Sequence, residues 1–270
     1  MTTDAADART EPLLVTTEGG IAWVRLNRPD AMNSLDNALK DALVRELERV
    51  SNDPAVRCVV LTGSGRAFCV GQDLKEHVQS LSDPTSNLAT TVEEHYNRIV
   101  TLLATMNKPV VAALNGVAAG AGMSFALACD FRIAVDTASL TTAFAGIALS
   151  CDSGASWSLP RLVGTAKAKE LLMLPRSVPA AEALELGLLT RVVPVEEFEA
   201  AVLELATALA EGPTLAYGAI RRVVAHSAAN TLEDSLALEG QYMGLTGQSR
   251  DHHIAVDAFL GKEKPTYTGH

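Results

Sequence analysis

Residues 108–135 read KPVVAALNGVAAGAGMSFALACDFRIAV, an order of segments that few architectures accept. KPVVAAL (108–114) has the apolar, β-branched content of a buried strand. FRIAV (131–135) repeats the pattern. Between them GAGMSFALACD reads as a glycine-started helix. Upstream, GGIAWVRLNRP reads as a turn and then a strand ending at Asn27, with Pro29 stopping it. AVRCVVLTGSG is a further short buried strand closed by a glycine turn. Between these two, Leu35, Leu39, Leu43, Leu47 and Val50 recur at helical spacing, with Ser34 as the expected N-cap. Strands that alternate with helices up to about residue 150 predict an α/β fold.

The remainder reads as mostly helical. Pro179 stands early in VPAAEALELG and Gly187 follows its last turn. PVEEFEAAVLELATALAEG is amphipathic with acids in its first turn, and Thr231 is the expected cap of TLEDSLALEGQYMGLTG. No strand is expected beyond about residue 196, and a helical tail of this kind packs on a core or on a neighbouring subunit. Residues 1–12, polar and acidic, read as a flexible tail and not as a secretion signal.

With 270 residues, 48% of them hydrophobic and 20% charged, the chain can bury a large core. A net charge of −10 and the lack of any Lys/Arg block argue against nucleic acid as a partner. No apolar run reaches the ~18–20 residues of a membrane span. The four cysteines form no CxxC pair. Each lies among apolar residues, which reads as reduced core thiols in a cytoplasmic protein.

Three stretches could carry chemistry. GRAFCVGQDL (65–74) follows Gly63 and contains Gly65 and Gly71. It is either an ordinary loop or one that leaves backbone N–H groups free to face a cleft. Gly116, Gly120 and Gly122 precede a helix N-terminus, which serves either close strand–helix packing or a developing oxyanion. Their G-x-x-x-G-x-G spacing is not the dinucleotide fingerprint. FAGIALSCDSGASW (144–157) holds one carboxylate, Asp152. It caps the following helix, or it is a base whose pKa is raised by desolvation. There is no HExxH metal motif and no G-x-S-x-G elbow. His252 and His253 are adjacent and would diverge by about 100° on a helix. Cys151 has no sequence-neighbouring histidine to activate it as a nucleophile.

Taken together, LNRPDAMNSLD, VVLTGSGRAFCVGQDL, KPVVAALNGVAAGAGMSFALACDFRIA, LPRLVG, EALELGLLTRVV and DAFLGKEKPTY resemble the crotonase, or enoyl-CoA hydratase/isomerase, family over residues 13 to 265. The resemblance implies a spiral of ββα units over 13–195 and a helical trimerisation region over 196–270, assembled as trimers or dimers of trimers. It implies an acyl-CoA substrate, with coenzyme A arriving as part of that substrate and no permanently bound cofactor or metal. The amides of Gln72 and Ala121 would hold the thioester oxygen. Arg28, Ala31 and Met32 would lie near the CoA nucleotide, and Phe259 and Lys262 would reach it from the C-terminal helix. Ala67, Asp73, Leu74, Gly120, Ser124 and Phe144 complete the implied site.

The resemblance also marks a departure. Family hydratases carry two glutamates where this chain has Ser124 and Phe144, so hydration loses its acid and base. The pattern is most similar to the ring-1,2-epoxyphenylacetyl-CoA and Δ3,Δ2-enoyl-CoA isomerase type, with Asp152 as base. Rival expectations are a weak hydratase, a catalytically silent acyl-CoA-binding protein, and an aryl-CoA dehalogenase-like hydrolase. The last would use Asp152 as nucleophile, but Phe144 stands where a Trp would be and His95 is out of register.

Overall fold

The computed structural model describes residues 11–82 and 87–270. Most of the expected N-terminal tail therefore lies outside the described residues. Ten strands are described: β1 (Leu13–Glu18), β2 (Ile21–Leu26), β3 (Cys58–Gly63), β4 (Ala67–Cys69), β5 (Val110–Leu114), β6 (Val117–Ala119), β7 (Phe131–Val135), β8 (Ser139–Thr141), β9 (Val178–Pro179) and β10 (Arg191–Val193). The helices are α1 (Asn37–Asn52), α2 (Leu74–Leu81), α3 (Leu88–Thr91), α4 (Asn97–Thr105), α5 (Ala121–Ala128), α6 (Ala155–Met173), α7 (Ala180–Glu185), α8 (Phe198–Ala210), α9 (Thr214–Ser227), α10 (Leu232–Gly247) and α11 (Arg250–Gly261).

The strands divide between two sheets, ordered β1-β2-β3-β5-β7-β10 and β4-β6-β8-β9. In each pair β3/β4, β5/β6 and β7/β8 the first strand enters the large sheet and the second enters the small one. A helix follows before the chain returns, so successive ββα units wind as a spiral. Apart from the β1–β2 and β8–β9 pairs, neighbouring strands are parallel. Every residue of β3 and β5 is buried, which is why these strands read as unbroken apolar runs and not as alternation.

Several expectations need correction. Helix α1 is capped by Asp36, whose Oδ1 accepts the Leu39 amide at 2.9 Å. Ser34 is not the cap. Met32 and Asn33 adopt left-handed φ of 50° and 56°, so the helix starts later, and the Ser34 hydroxyl instead donates to Asp73 Oδ2 at 3.0 Å. Strand β2 stops at Leu26. Strand β1, in LLVTTE, was not anticipated, nor was β10 within the region expected to be helical. Cys58, Cys69 and Cys129 are buried, and burial pushes their thiols up to about 12. Cys151 is not a core thiol: it is half-buried on the loop before α6 and lines a cavity.

From Val195 to Gly261 the described elements are all helices, and Thr231 caps α10 by accepting the Asp234 amide. Arg221 on α9 holds the core at several points. It pairs with Asp130 at 2.7 Å and donates to the carbonyls of Leu103 (2.6 Å), Lys108 (2.8 Å) and Met106. Helices α10 and α11 expose Leu232, Leu236, Met243, Phe259 and Leu260. The last residues fold back onto α11, where the buried Asp251 carboxylate accepts the amides of Thr268 (2.6 Å) and Gly269 (2.8 Å).

Candidate active site

The site begins where two glycine loops touch. Gly71 follows β4 with φ of +84°, and a Cβ there would stand 3.0 Å from the Ala119 carbonyl oxygen and 3.4 Å from the Ala121 nitrogen. A Cβ on Gly122 would stand 2.3 Å from the Cys69 carbonyl oxygen. Glycine at both positions thus lets the β4 loop and the α5 N-terminus meet backbone against backbone. Leu35 fixes the first loop: its amide donates to Gly71 O at 2.8 Å and its carbonyl accepts from Asp73 N at 3.2 Å. Ala121 opens α5, whose residues are all buried, and a first-turn amide has no intrahelical acceptor. Among the described residues, neither the Gln72 nor the Ala121 amide donates to a protein group. Two adjoining N–H donors are therefore free for a ligand oxygen.

Asp152 lines a cavity of about 430 Å³ to which the first of these loops contributes Gln72, while Ala121 lies outside its lining. The cavity is lined by Gln72, Tyr96 and Asp152 together with apolar side chains such as Leu74, Val92 and Ile147. Ser153 (φ 52°) and Gly154 (φ 75°) are both left-handed, and this double turn ends the loop so that α6 starts at Ala155. The Asp152 side chain does not cap α6. The Ala155 amide donates to the Asp152 backbone carbonyl at 2.9 Å, and the carboxylate accepts the Ser153 hydroxyl at 2.8 Å. Burial pushes the Asp152 carboxyl above its usual value, against the opposing pull of that hydrogen bond. A second carboxylate, Glu93, lines the same cavity from the exposed side of a π-helical turn over Val92–Tyr96.

The remaining sequence-derived site residues are dispersed. Gln72, Leu74 and Asp152 share the cavity. Phe144 and Ser124 are buried, and the Ser124 hydroxyl donates to Gly120 O at 3.1 Å. Ala67 is buried in β4, where its carbonyl accepts from Asn33 and Asn115. Ala31 and Met32 form the turn after Pro29. Arg28 pairs with Asp36 (3.0 Å) and Asp73 (2.9 Å). Burial alone would raise Asp73, but the hydrogen bonds from Arg28 and Ser34 outweigh it and hold the carboxyl below its ordinary value. Phe259 and Lys262 are exposed at the end of α11, outside the cavity lining. His95 also lies outside that lining: its ring bridges Thr91 Oγ1 and Asp41 Oδ1, each at 3.1 Å.

A polar cluster behind Gln72 escaped the sequence reading. Lys40 is 1% exposed, with Nζ 3.3 Å from Glu76 Oε1 and 2.8 Å from Thr91 Oγ1. The Tyr96 hydroxyl donates to Gln72 Oε1, and Gln72 Nε2 stands 3.5 Å from Glu76. One signal was available: Lys40 falls in the same i, i+3, i+4, i+7 row as Leu43, Val44 and Leu47, which are buried. A cation on an apolar stripe needs a buried partner.

The family model for enoyl-CoA hydratase/isomerase matches residues 16–270. The chain is 39% identical over 259 residues to 1,2-epoxyphenylacetyl-CoA isomerase of Escherichia coli, covering 96% of this chain and 99% of the relative. It is 33% identical to 4-chlorobenzoyl coenzyme A dehalogenase-1 of an Arthrobacter species, over 82% of this chain and 80% of that protein. A solved enoyl-CoA hydratase from Bacillus anthracis superposes with a TM-score of 0.90 at 32% identity, covering 96% of this chain and all of the other. With an α/β spiral, a helical C-terminal region and a family match over nearly its whole length, this chain belongs to the enoyl-CoA hydratase/isomerase family.

Proposed function

We propose that this protein isomerises enoyl-CoA thioesters, moving a double bond from the 3,4 to the 2,3 position or carrying out the related shift on a ring-epoxide acyl group. The thioester oxygen accepts the amides of Gln72 and Ala121. Asp152 removes a proton from the carbon between the thioester and the double bond, and negative charge develops on the held oxygen. The same carboxyl returns the proton two carbons further along the acyl chain, so the step is balanced by one group. The observation that carries this reading is a half-buried carboxylate with a raised pKa, lining the same cavity as the loop that bears the free Gln72 amide. Coenzyme A enters and leaves with the acyl group. We place the activity in the cytoplasm, in a trimer or dimer of trimers built through α10 and α11.

The test follows ultraviolet absorbance after adding a 3-enoyl-CoA. The conjugated thioester band should grow, and Asp152→Asn should reduce the rate by at least about 10²-fold while acyl-CoA binding persists. Turnover retained in that variant would sink the assignment. Glu93 supports a second reading, because adding water uses an acid and a base and two carboxylates line this cavity. Hydration predicts 3-hydroxyacyl-CoA from a 2-enoyl-CoA and loss of that product in Glu93→Gln; isomerisation predicts that Glu93→Gln leaves the double-bond shift intact. Dehalogenation gains no support from His95, which faces Asp41 and Thr91.

A further inference from the structure

Next to the cavity that holds Asp152 lies a second one of about 240 Å³, and the two share Gln72, His77, Leu88 and Thr91 as a common wall. Their linings differ. The first is largely apolar, whereas the annex is faced by Lys40, Glu76, Gln79 and Asn87. A chamber that received only a hydrocarbon tail would have no use for such a lining, because polar groups facing an apolar tail lose water without gaining a partner.

Within the annex the charged groups already satisfy one another. Lys40 is neutralised by Glu76 and bonded to Thr91, and the Gln72 carboxamide is engaged by Tyr96. His77 is the exception. It projects from α2 into the shared wall, and its Nδ1 is buried with no hydrogen-bond partner among the described residues. A buried ring nitrogen without a partner is costly, so it marks a point where a ligand or solvent oxygen belongs.

We propose that His77 is a specificity-determining residue and that the preferred acyl group carries a neutral oxygen, as hydroxyl, ether or carbonyl, at the depth of this wall. A carboxylate fits less well. Lys40 already has its counter-ion, and a second anion would face Glu76 across the annex. The proposal rests on the isomerase reading for the direction in which the acyl group enters from the Gln72 loop.

The experiment compares three 3-enoyl-CoA thioesters of equal chain length, ending in methyl, hydroxyl or carboxylate. The expected wild-type order in kcat/KM is hydroxyl first by about tenfold, as one added hydrogen bond allows, then methyl, then carboxylate. In His77→Leu the hydroxyl-to-methyl ratio should collapse to near one. A wild type that favours the methyl or carboxylate tail overturns the proposal, as does a His77→Leu variant that keeps the ratio. Saturated acyl-CoAs with the same three tails, titrated calorimetrically, separate this idea from the isomerase reading. If no thioester is converted but the binding order holds, the base assignment has failed and the specificity assignment stands. Equal affinities for the three tails overturn the specificity assignment alone.

Discussion

Asp152 and Asp73 are two acids in the same region with opposite linkage to stability. Burial raises the folded-state pKa of Asp152, so the folded protein holds its proton more tightly than the unfolded chain does. The cost of ionising it is absent below the ordinary carboxylate range and grows as pH rises toward the folded value. Asp152→Asn should therefore raise the melting temperature at pH 7 and have no such effect in acid, even as it removes turnover; thermal denaturation at the two pH values checks this. The acid limb of kcat/KM should lie above the ~3.9 of a free aspartate. Asp73 is lowered in the fold, so its contribution is complete at neutral pH and disappears as pH falls through its folded pKa. Asp73→Asn should cost about 1–2 kcal/mol at pH 7, read from urea denaturation, with the deficit shrinking in acid.

Packing between elements depends on backbone contact at the junction of β4 and α5. Gly122→Ala would drive a Cβ to 2.3 Å from the Cys69 carbonyl, where both partners are backbone in fully buried elements and neither can yield. Destabilisation of about 3 kcal/mol or more is expected, seen as insoluble protein or a sharp fall in the denaturation midpoint. Strands β3 and β5 were readable as largely apolar runs, and β7 as an apolar segment interrupted by Arg132. Strands β4, β6 and β8 were not, because each has only three residues and periodicity cannot register over so short a span. Ser34 and Asp36 are both competent caps, and the left-handed pair Met32–Asn33 decides between them. Within the candidate site, glycine spacing singled out two loops as possible amide donors and Asp152 stood out as a lone acid in apolar surroundings, whereas the choice of Gln72 and Ala121 came from the family resemblance. Lys40, Glu76, Thr91 and Tyr96 were not readable, since their cluster joins residues 36 and 51 positions apart through side chains alone.

For the whole molecule, α10 and α11 form an arm whose Leu236, Met243, Phe259 and Leu260 face solvent in the isolated chain. Apolar exposure on this scale supports the proposed assembly through these helices. Sedimentation should report trimers or hexamers, and the pair Leu236→Glu and Met243→Glu should shift the protein toward monomers. Arg221 and Arg57 act over still longer distances along the chain. Arg221 takes up carbonyls 113 and 118 residues upstream, while Arg57 on the β3 side donates to the Tyr267 carbonyl 210 residues later. These carbonyls and this guanidinium wait for partners synthesised more than a hundred residues later, and contacts of such separation slow folding. A nascent chain stalled near residue 200 would present an uncapped α4 end and an unclasped Arg57. The chain should therefore remain dependent on chaperone protection until Arg221 and Tyr267 have been synthesised, and a protease-resistant core should appear only once both have left the ribosome.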